Sequence, residues 1–152
     1  MTTWADLVAA EPELTSLVRR CFDVRKHATL ATLRRDGSPR ISGTEVEWDD
    51  DGSIYLGMMP LALKALDLRR DPRLALHSPT IDAPDEEQSA WIGEAKISGV
   101  GVEVSDARQV DEPHRFRIDL DEVVHTCLGS TGDHLVITSW HPDRGVEVRT
   151  RH

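Results

Sequence analysis

Residues 28–42 decide how this chain folds, and they read Ala-Thr-Leu-Ala-Thr-Leu-Arg-Arg-Asp-Gly-Ser-Pro-Arg-Ile-Ser. The first six residues form a short, apolar, threonine-rich run that is typical of a β-strand. Asp36 and Gly37 then make a tight-turn signal, and a second strand-like run continues from Pro39 to Trp48. Two such runs around an Asp-Gly turn predict a β-hairpin, so an antiparallel sheet begins here.

The sequence after this hairpin predicts a third strand and a short helix. An acidic turn at 49–52 precedes a strand over 53–59, which completes a three-stranded meander. Over 60–70 the apolar spacing becomes helical. One face of this helix carries Leu61, Lys64, Ala65 and Leu68. The helix is expected to end before Pro72, because a residue that precedes proline avoids the helical region.

The remaining pattern is mostly strand-like. Further strands are predicted over 73–78, 91–105, 115–120, 134–140 and 145–149. Glycines 93, 99 and 101 indicate a bulge or bend within the long strand. A short helical turn is predicted over 121–126, and a helical segment over 4–22, with Pro12 opening a second helix, covers the N-terminal side. One helix among six or seven strands is not an alternating βαβ pattern, so a mostly β, antiparallel barrel is favoured over a parallel sheet.

Length and charge narrow the range of functions. A chain of 152 residues suits one domain over 1–152, with a helical cap over 1–24 and the barrel over 25–150. The net charge of −9 disfavours binding to nucleic acid or to anionic membranes. The sequence has neither a long apolar stretch nor a basic leader, so a cytoplasmic location is expected.

Metal chemistry has no signature in this sequence. Cys21 and Cys127 are far apart, and His114, His125, His134 and His141 are scattered without the spacing of a metal site. We therefore expect no metal and two buried thiols.

The order of motifs resembles the pyridoxamine 5'-phosphate oxidase-like superfamily, in its flavin and deazaflavin oxidoreductase branch. The resemblance rests on the strand and turn at 28–42, on Ser-Ile-Tyr-Leu-Gly at 53–57, and on the run from Lys64 through Leu-Arg-Arg-Asp-Pro-Arg at 68–73. It covers roughly residues 20–150. It implies an FMN-binding split barrel that works as a homodimer and holds FMN or the deazaflavin coenzyme F-420 between its subunits.

The same resemblance implies the position of the cofactor site. Residues Ser42, Gly43 and Thr44 would line the ring, Gly57, Met58 and Met59 would lie beside it, and Lys64 would meet the phosphate. There are three further candidates. Arg40 could compensate for an arginine that the family often has just before Lys64 and this chain lacks. His77 could donate a hydrogen bond, and Trp140 could contact the ring. For each of these three the structural alternative stays open: a surface ion pair, a barrel-edge histidine and a packed tryptophan.

One departure from the family pattern bears on function. Ala62 and Leu63 precede Lys64, where the family often has Ser or Gly followed by Arg. The leading interpretation is a flavin- or deazaflavin-dependent oxidoreductase acting on an unidentified small molecule, because the ring performs the hydride transfer and few side chains need be catalytic. The alternative is a non-catalytic split-barrel protein that carries flavin or haem, which the missing arginine favours.

Overall fold

The computed structural model describes residues 1–104 and 112–152. The first half of the chain contains helices α1 (Trp4–Ala10) and α2 (Pro12–Asp23), strands β1 (His27–Leu33), β2 (Pro39–Trp48) and β3 (Ile54–Met58), helix α3 (Leu63–Arg70) and strand β4 (Arg73–His77). The second half contains a 3-10 turn (Gln88–Ala90) and strands β5 (Glu94–Glu103), β6 (His114–Leu128), β7 (Leu135–His141) and β8 (Gly145–Arg151).

The described strands form one antiparallel sheet that closes on itself. Their order is β3-β2-β1-β4-β5-β6-β7-β8, and β3 also pairs with β6. This extra pairing closes a barrel of six strands, while β7 and β8 extend the sheet beyond it. The expected antiparallel split barrel is confirmed. Closure removes the exposed edge of β3, which would otherwise present unpaired backbone groups.

Strand β6 corrects one expectation. The helical turn predicted over 121–126 is wrong, because these residues continue β6 and pair with β5 and β7. A register shift lies between Ser98 and Gly99 of β5, opposite Asp121, so the strand continues through a bulge. A Cβ on Gly99 would lie 2.1 Å from the carbonyl oxygen of Asp119. The glycine therefore permits the bulge that its position in the sequence indicated; residue 105, the predicted end of this strand, lies outside the described residues.

Two helices cover one end of the barrel. Thr3 caps α1 through reciprocal hydrogen bonds with Asp6, and Pro12 opens α2 in its first turn, as predicted. Their apolar faces supply Leu7, Val18 and Phe22 to the core. None of the helices in the part of the chain described here is long and apolar enough to span a bilayer.

Helix α3 begins at Leu63, three residues later than predicted. Leu61 has a φ of 63°, in the left-handed region, and this turn breaks the helical pattern that the sequence indicated from residue 60. Ala65 and Leu68 pack into the core, whereas Leu61 is exposed. The turn brings Lys64 back towards β2.

Candidate functional site

A groove of about 520 Å³ lies on the outer face of β2, beside the end of β3 and the turn into α3. Its walls are His27, Gly43, Thr44, Glu45, Glu47, Gly57, Met59, Pro60, Leu61, Ala62 and Lys64. Alternation along β2 explains the composition, because every second residue of a strand points to the same side. Gly43, Glu45 and Glu47 face outward, and Gly57 lies at the end of the neighbouring strand.

Lys64 supplies the cation of this groove. Its Nζ donates a hydrogen bond of 2.8 Å to the carbonyl oxygen of Gly43. Burial lowers the pKa of Lys64 from its usual value. Lys64 also lies in the first turn of α3, whose N-cap residue Ala62 makes no side-chain cap. The first backbone N–H groups of a helix have no hydrogen-bond acceptor within the helix, so they can donate to an anion. The Lys64 ammonium group and the N-terminus of α3 therefore both favour an anionic group here.

The floor of the groove is bare at Gly43, whereas the Glu47 carboxylate lies against Gly57. Nothing lies within 4 Å of where a Cβ on Gly43 would stand, so the strand surface is open there. A Cβ on Gly57 would lie 2.9 Å from Oε1 of Glu47. A flat molecule can therefore approach the backbone of β2 closely at Gly43, which is one common use of glycine, and it would meet the Glu47 carboxylate at Gly57.

Two carboxylates of β2 line the same groove. Glu45 Oε1 lies 3.2 Å from Lys26 Nζ and 3.5 Å from His27 Nε2. Glu47 Oε2 accepts a hydrogen bond of 3.2 Å from Arg115 Nε. The sequence shows that these acids share one strand face, but neither was singled out for the site, nor were His27 and the 60–62 turn. Both acids could have been found from the sequence, because residues 43, 45 and 47 of one strand point to the same side.

Arg40 lies apart from this groove. Its Nε donates to Oδ2 of Asp67 over 2.6 Å, and the Asp67 carboxylate also accepts from Thr32 and Arg70. Burial alone would raise the pKa of Asp67, but these three hydrogen bonds hold it below its usual value. Arg40 thus forms an ion pair with a buried carboxylate, and it opens onto a separate depression with Arg34 and Arg35.

The other predicted residues are divided between groove and core. Gly43, Gly57, Met59 and Lys64 meet in the groove; Thr44 also lines it, although its side chain is buried on the other side of β2. Ser42 lies on the opposite side of β2 from Gly43, and Met58 and Trp140 pack in the hydrophobic core. The Nδ1 of His77 donates to the carbonyl oxygen of Ser78 over 2.7 Å. These last four side chains are absent from the groove walls.

Four exposed apolar side chains, which we call the rim, lie in or near the groove: Met59 and Leu61 line it, and Ile41 and Leu63 are close in sequence to its lining residues Gly43 and Lys64. The exposed fraction is 73% for Ile41, 79% for Met59, 63% for Leu61 and 57% for Leu63. Large apolar side chains at such exposure are unusual as a group on a monomer, and they mark surfaces that bind something. Among the described residues, no group of three or more His, Cys, Asp or Glu could hold a metal ion.

Comparisons with solved structures agree on the fold. No protein-family model matches the sequence, and a search of curated proteins finds no significant match. A pyridoxamine 5'-phosphate oxidase-related, FMN-binding protein from Nostoc punctiforme superposes with a TM-score of 0.62 at 10% identity, over 93% of this chain and 96% of that one.

Two other solved structures share the fold with different described functions. The haem storage protein HutZ from Vibrio cholerae has a TM-score of 0.53 at 15% identity, over 73% of this chain and 89% of its own. An F420 reductase has a TM-score of 0.50 at 12% identity, over 68% of this chain and 92% of its own. The chain therefore has the split-barrel fold of the pyridoxamine 5'-phosphate oxidase-like proteins, as the sequence resemblance implied.

Proposed function

We propose that this chain binds a flavin or deazaflavin, either FMN or coenzyme F-420, in the groove and acts as an oxidoreductase on a small molecule. The observation that carries the proposal is the bare strand floor at Gly43 beside a cation at the start of a helix. A flat ring suits the floor, and an anionic tail suits Lys64 and the N-terminus of α3. The FMN-binding and F420 reductase structures of the same fold support this choice.

The described residues fit such a cofactor, and Lys64 is the only lysine or arginine among those that line the groove. Lys64 would hold the phosphate or another anionic group, and the backbone of β2 and β3 would support the ring. When bound, the ring supplies hydride chemistry, so the protein contributes orientation and exclusion of water. Glu45 and Glu47 are both in ion pairs, which reduces their repulsion of an anionic ligand.

The exposed rim supports a homodimer with the cofactor at the subunit interface. Ile41, Met59, Leu61 and Leu63 would be covered by a second copy, which would also give the open groove its missing wall. Obligate dimers usually bury about 2,000 Å² or more of apolar-rich surface. The net charge of −9 makes nucleic acid or an anionic membrane surface a poor alternative partner.

The test is spectroscopic. The purified protein is examined for visible absorbance and is then titrated with FMN and with coenzyme F-420. A bound chromophore with a flavin or deazaflavin spectrum, reducible by a nicotinamide or other hydride donor, is expected. A colourless protein that binds neither compound would contradict the proposal.

A second function deserves the same experiment, namely a non-catalytic carrier of flavin or haem. Leu63 stands where a second cation would reinforce Lys64, and Arg40 is occupied by Asp67. A weakly held phosphate suits a carrier that releases its ligand better than an enzyme that retains its cofactor. The haem storage protein HutZ has the same fold, which supports the carrier as an alternative. A haem spectrum, or a bound flavin that no donor reduces, would favour the carrier.

A further inference from the structure

The carboxylate of Glu47 occupies a defined place at the floor of the groove. Oε1 lies so close to Gly57 that a Cβ there would be 2.9 Å away. Within residues 1–104 and 112–152, no hydrogen bond to this oxygen is formed, whereas Oε2 accepts from Arg115. Oε2 is thus paired with Arg115, and Oε1 is available to a molecule that lies on β2 at Gly43.

Arg115 holds this carboxylate in position. Its Nε binds Glu47, one terminal nitrogen donates to Oδ2 of Asp49 over 2.8 Å, and its guanidinium carbon lies 3.7 Å from the centre of the Tyr55 ring. The Arg115 and Glu47 side chains are 40% and 48% exposed, so this contact orients the carboxylate without burying it. The hydrogen bonds to Asp49 and Glu47 raise the pKa of Arg115, so its charge is constant across the working range of pH.

A negatively charged acceptor oriented in this way favours a hydrogen-bond donor in the ligand. Lys64 favours an anion at the α3 end of the groove, so Glu47 gives the groove a second, opposite preference. The pyrimidinedione ring of flavins and of deazaflavins carries one ring N–H between two carbonyls, at N3. Haem has no equivalent donor on its ring edge.

We propose that Glu47 is the residue that selects the ring, by accepting a hydrogen bond from N3–H of a flavin or deazaflavin that lies on β2 at Gly43 with its N3 edge towards Gly57. This inference rests on the proposed function and adds to it the ring orientation and the acceptor. Hydrogen bonds to charged groups contribute about 1.5–3 kcal/mol, so the N3–H contact should increase affinity roughly ten- to a hundredfold.

The test compares ligands that differ only at N3. Calorimetric titrations use FMN and N3-methyl-FMN, and the same pair of 5-deazaflavins, with the wild-type protein. The variant is Glu47→Met, which keeps the length of the side chain but removes the acceptor. The matched control is Glu45→Met, which removes the other carboxylate of the same strand face. Thermal unfolding confirms that each variant is folded.

The wild type and Glu45→Met should prefer the N3–H ligand at least about tenfold, and Glu47→Met should bind the two ligands within about threefold of each other. A preference that persists in Glu47→Met would reflect steric exclusion of the methyl group and would overturn the inference. Equal binding of both ligands by the wild type would overturn it too, while leaving the proposed function in place. Binding of no member of either pair would instead overturn the proposed function, and the inference with it.

Discussion

Lys64 is the residue on which the cofactor proposal depends most. Its ammonium group is half-buried, faces the groove and hydrogen-bonds only to a backbone carbonyl among the described residues, so its charge is not neutralised by a carboxylate. Such a cation retains the capacity to bind an anion. Arg40, in contrast, is already paired with Asp67.

Lys64→Ala should weaken binding of FMN or coenzyme F-420 about ten- to a hundredfold, the loss of one hydrogen bond to a charged group. Lys64→Arg should retain part of the affinity. Because burial lowers the pKa of Lys64, wild-type binding should also weaken as pH rises through that lowered value. The measurement is a fluorescence titration, with Lys96→Ala on β5 as the control. A Lys64→Ala variant that binds like the wild type would remove this residue from the site.

Asp67 is the second residue with a distinct prediction, and it concerns stability. Its buried carboxylate joins Thr32 of β1, Arg40 of β2 and Arg70 of α3. Asp67→Asn should lower the free energy of unfolding by about 1.5–3 kcal/mol, because hydrogen bonds to a charged group are lost. Asp85→Asn, in an exposed loop, is the control and should change little.

The effect of Asp67 should depend on pH in one direction. The folded state holds the pKa of Asp67 below the usual value of 3.8, so its stabilisation is present above that value and is lost as pH falls through the lower, folded-state pKa. Denaturant titrations of wild type and Asp67→Asn should converge as pH falls below the lowered, folded-state pKa of Asp67. A constant difference down to pH 2 would show that the charge of Asp67 is not the source of stability.

Among the elements, β5 and β6 form the longest of the described strand pairings, and it contains the one register shift within the described residues. The bulge at Ser98 and Gly99 allows β6 to bend from β3 towards β7, so a single strand takes part in both closure and extension. Bulges increase local twist and bend a strand, which a closed barrel of short strands requires.

Gly99→Ala should lower the stability of the protein by about 1–3 kcal/mol, the range for inserting a methyl group where no space exists. The reason is the 2.1 Å separation between the new Cβ and a backbone oxygen, which cannot move as a side chain can. Gly43→Ala is the matched control, since nothing lies within 4 Å of its Cβ position. Chemical denaturation measures both. Equal stability of Gly99→Ala and the wild type would mean that the bulge is not tightly packed.

At the scale of the whole molecule, the apolar rim of the groove is exposed in a single chain. Met59 and Leu61 line a groove on the outside of a closed barrel, where one chain provides only one wall, and Ile41 and Leu63 are exposed close to it in sequence. Leu61 keeps a left-handed backbone conformation, which costs a non-glycine residue about 1–2 kcal/mol. A strained backbone conformation of this kind persists only where surrounding contacts enforce it, and such positions cluster at binding sites.

Met59→Lys should weaken self-association at least about tenfold, because a charge in the centre of an apolar interface must be desolvated. Sedimentation equilibrium over a range of protein concentrations measures this. Val8→Lys, an exposed apolar position on α1 away from the rim, should leave association unchanged. A wild-type protein that stays monomeric at micromolar concentration would contradict the homodimer.

Local patterns in the sequence were enough to predict the barrel, its first hairpin and the glycine at the bulge. The Asp-Gly turn, the threonine-rich runs and the change of period near residue 60 are each set by a few neighbouring residues. The same reasoning, with the family resemblance, selected Gly43, Gly57 and Lys64, which the structure brings into one groove. These features depend on backbone conformations that short segments prefer by themselves.

Long-range contacts determined the rest. Arg40 pairs with Asp67, which lies 27 residues away, and Arg115 reaches Glu47 across 68 residues. Residues 121–126 look helical in isolation but extend β6, because strands on both sides offer hydrogen-bond partners. Alternation along a strand predicts that two faces exist, but not which one is covered or which charges meet there. Closure of the barrel decides which face is covered and which charged side chains come into contact. The side chains that remain exposed and unpaired are then the ones that can bind a ligand.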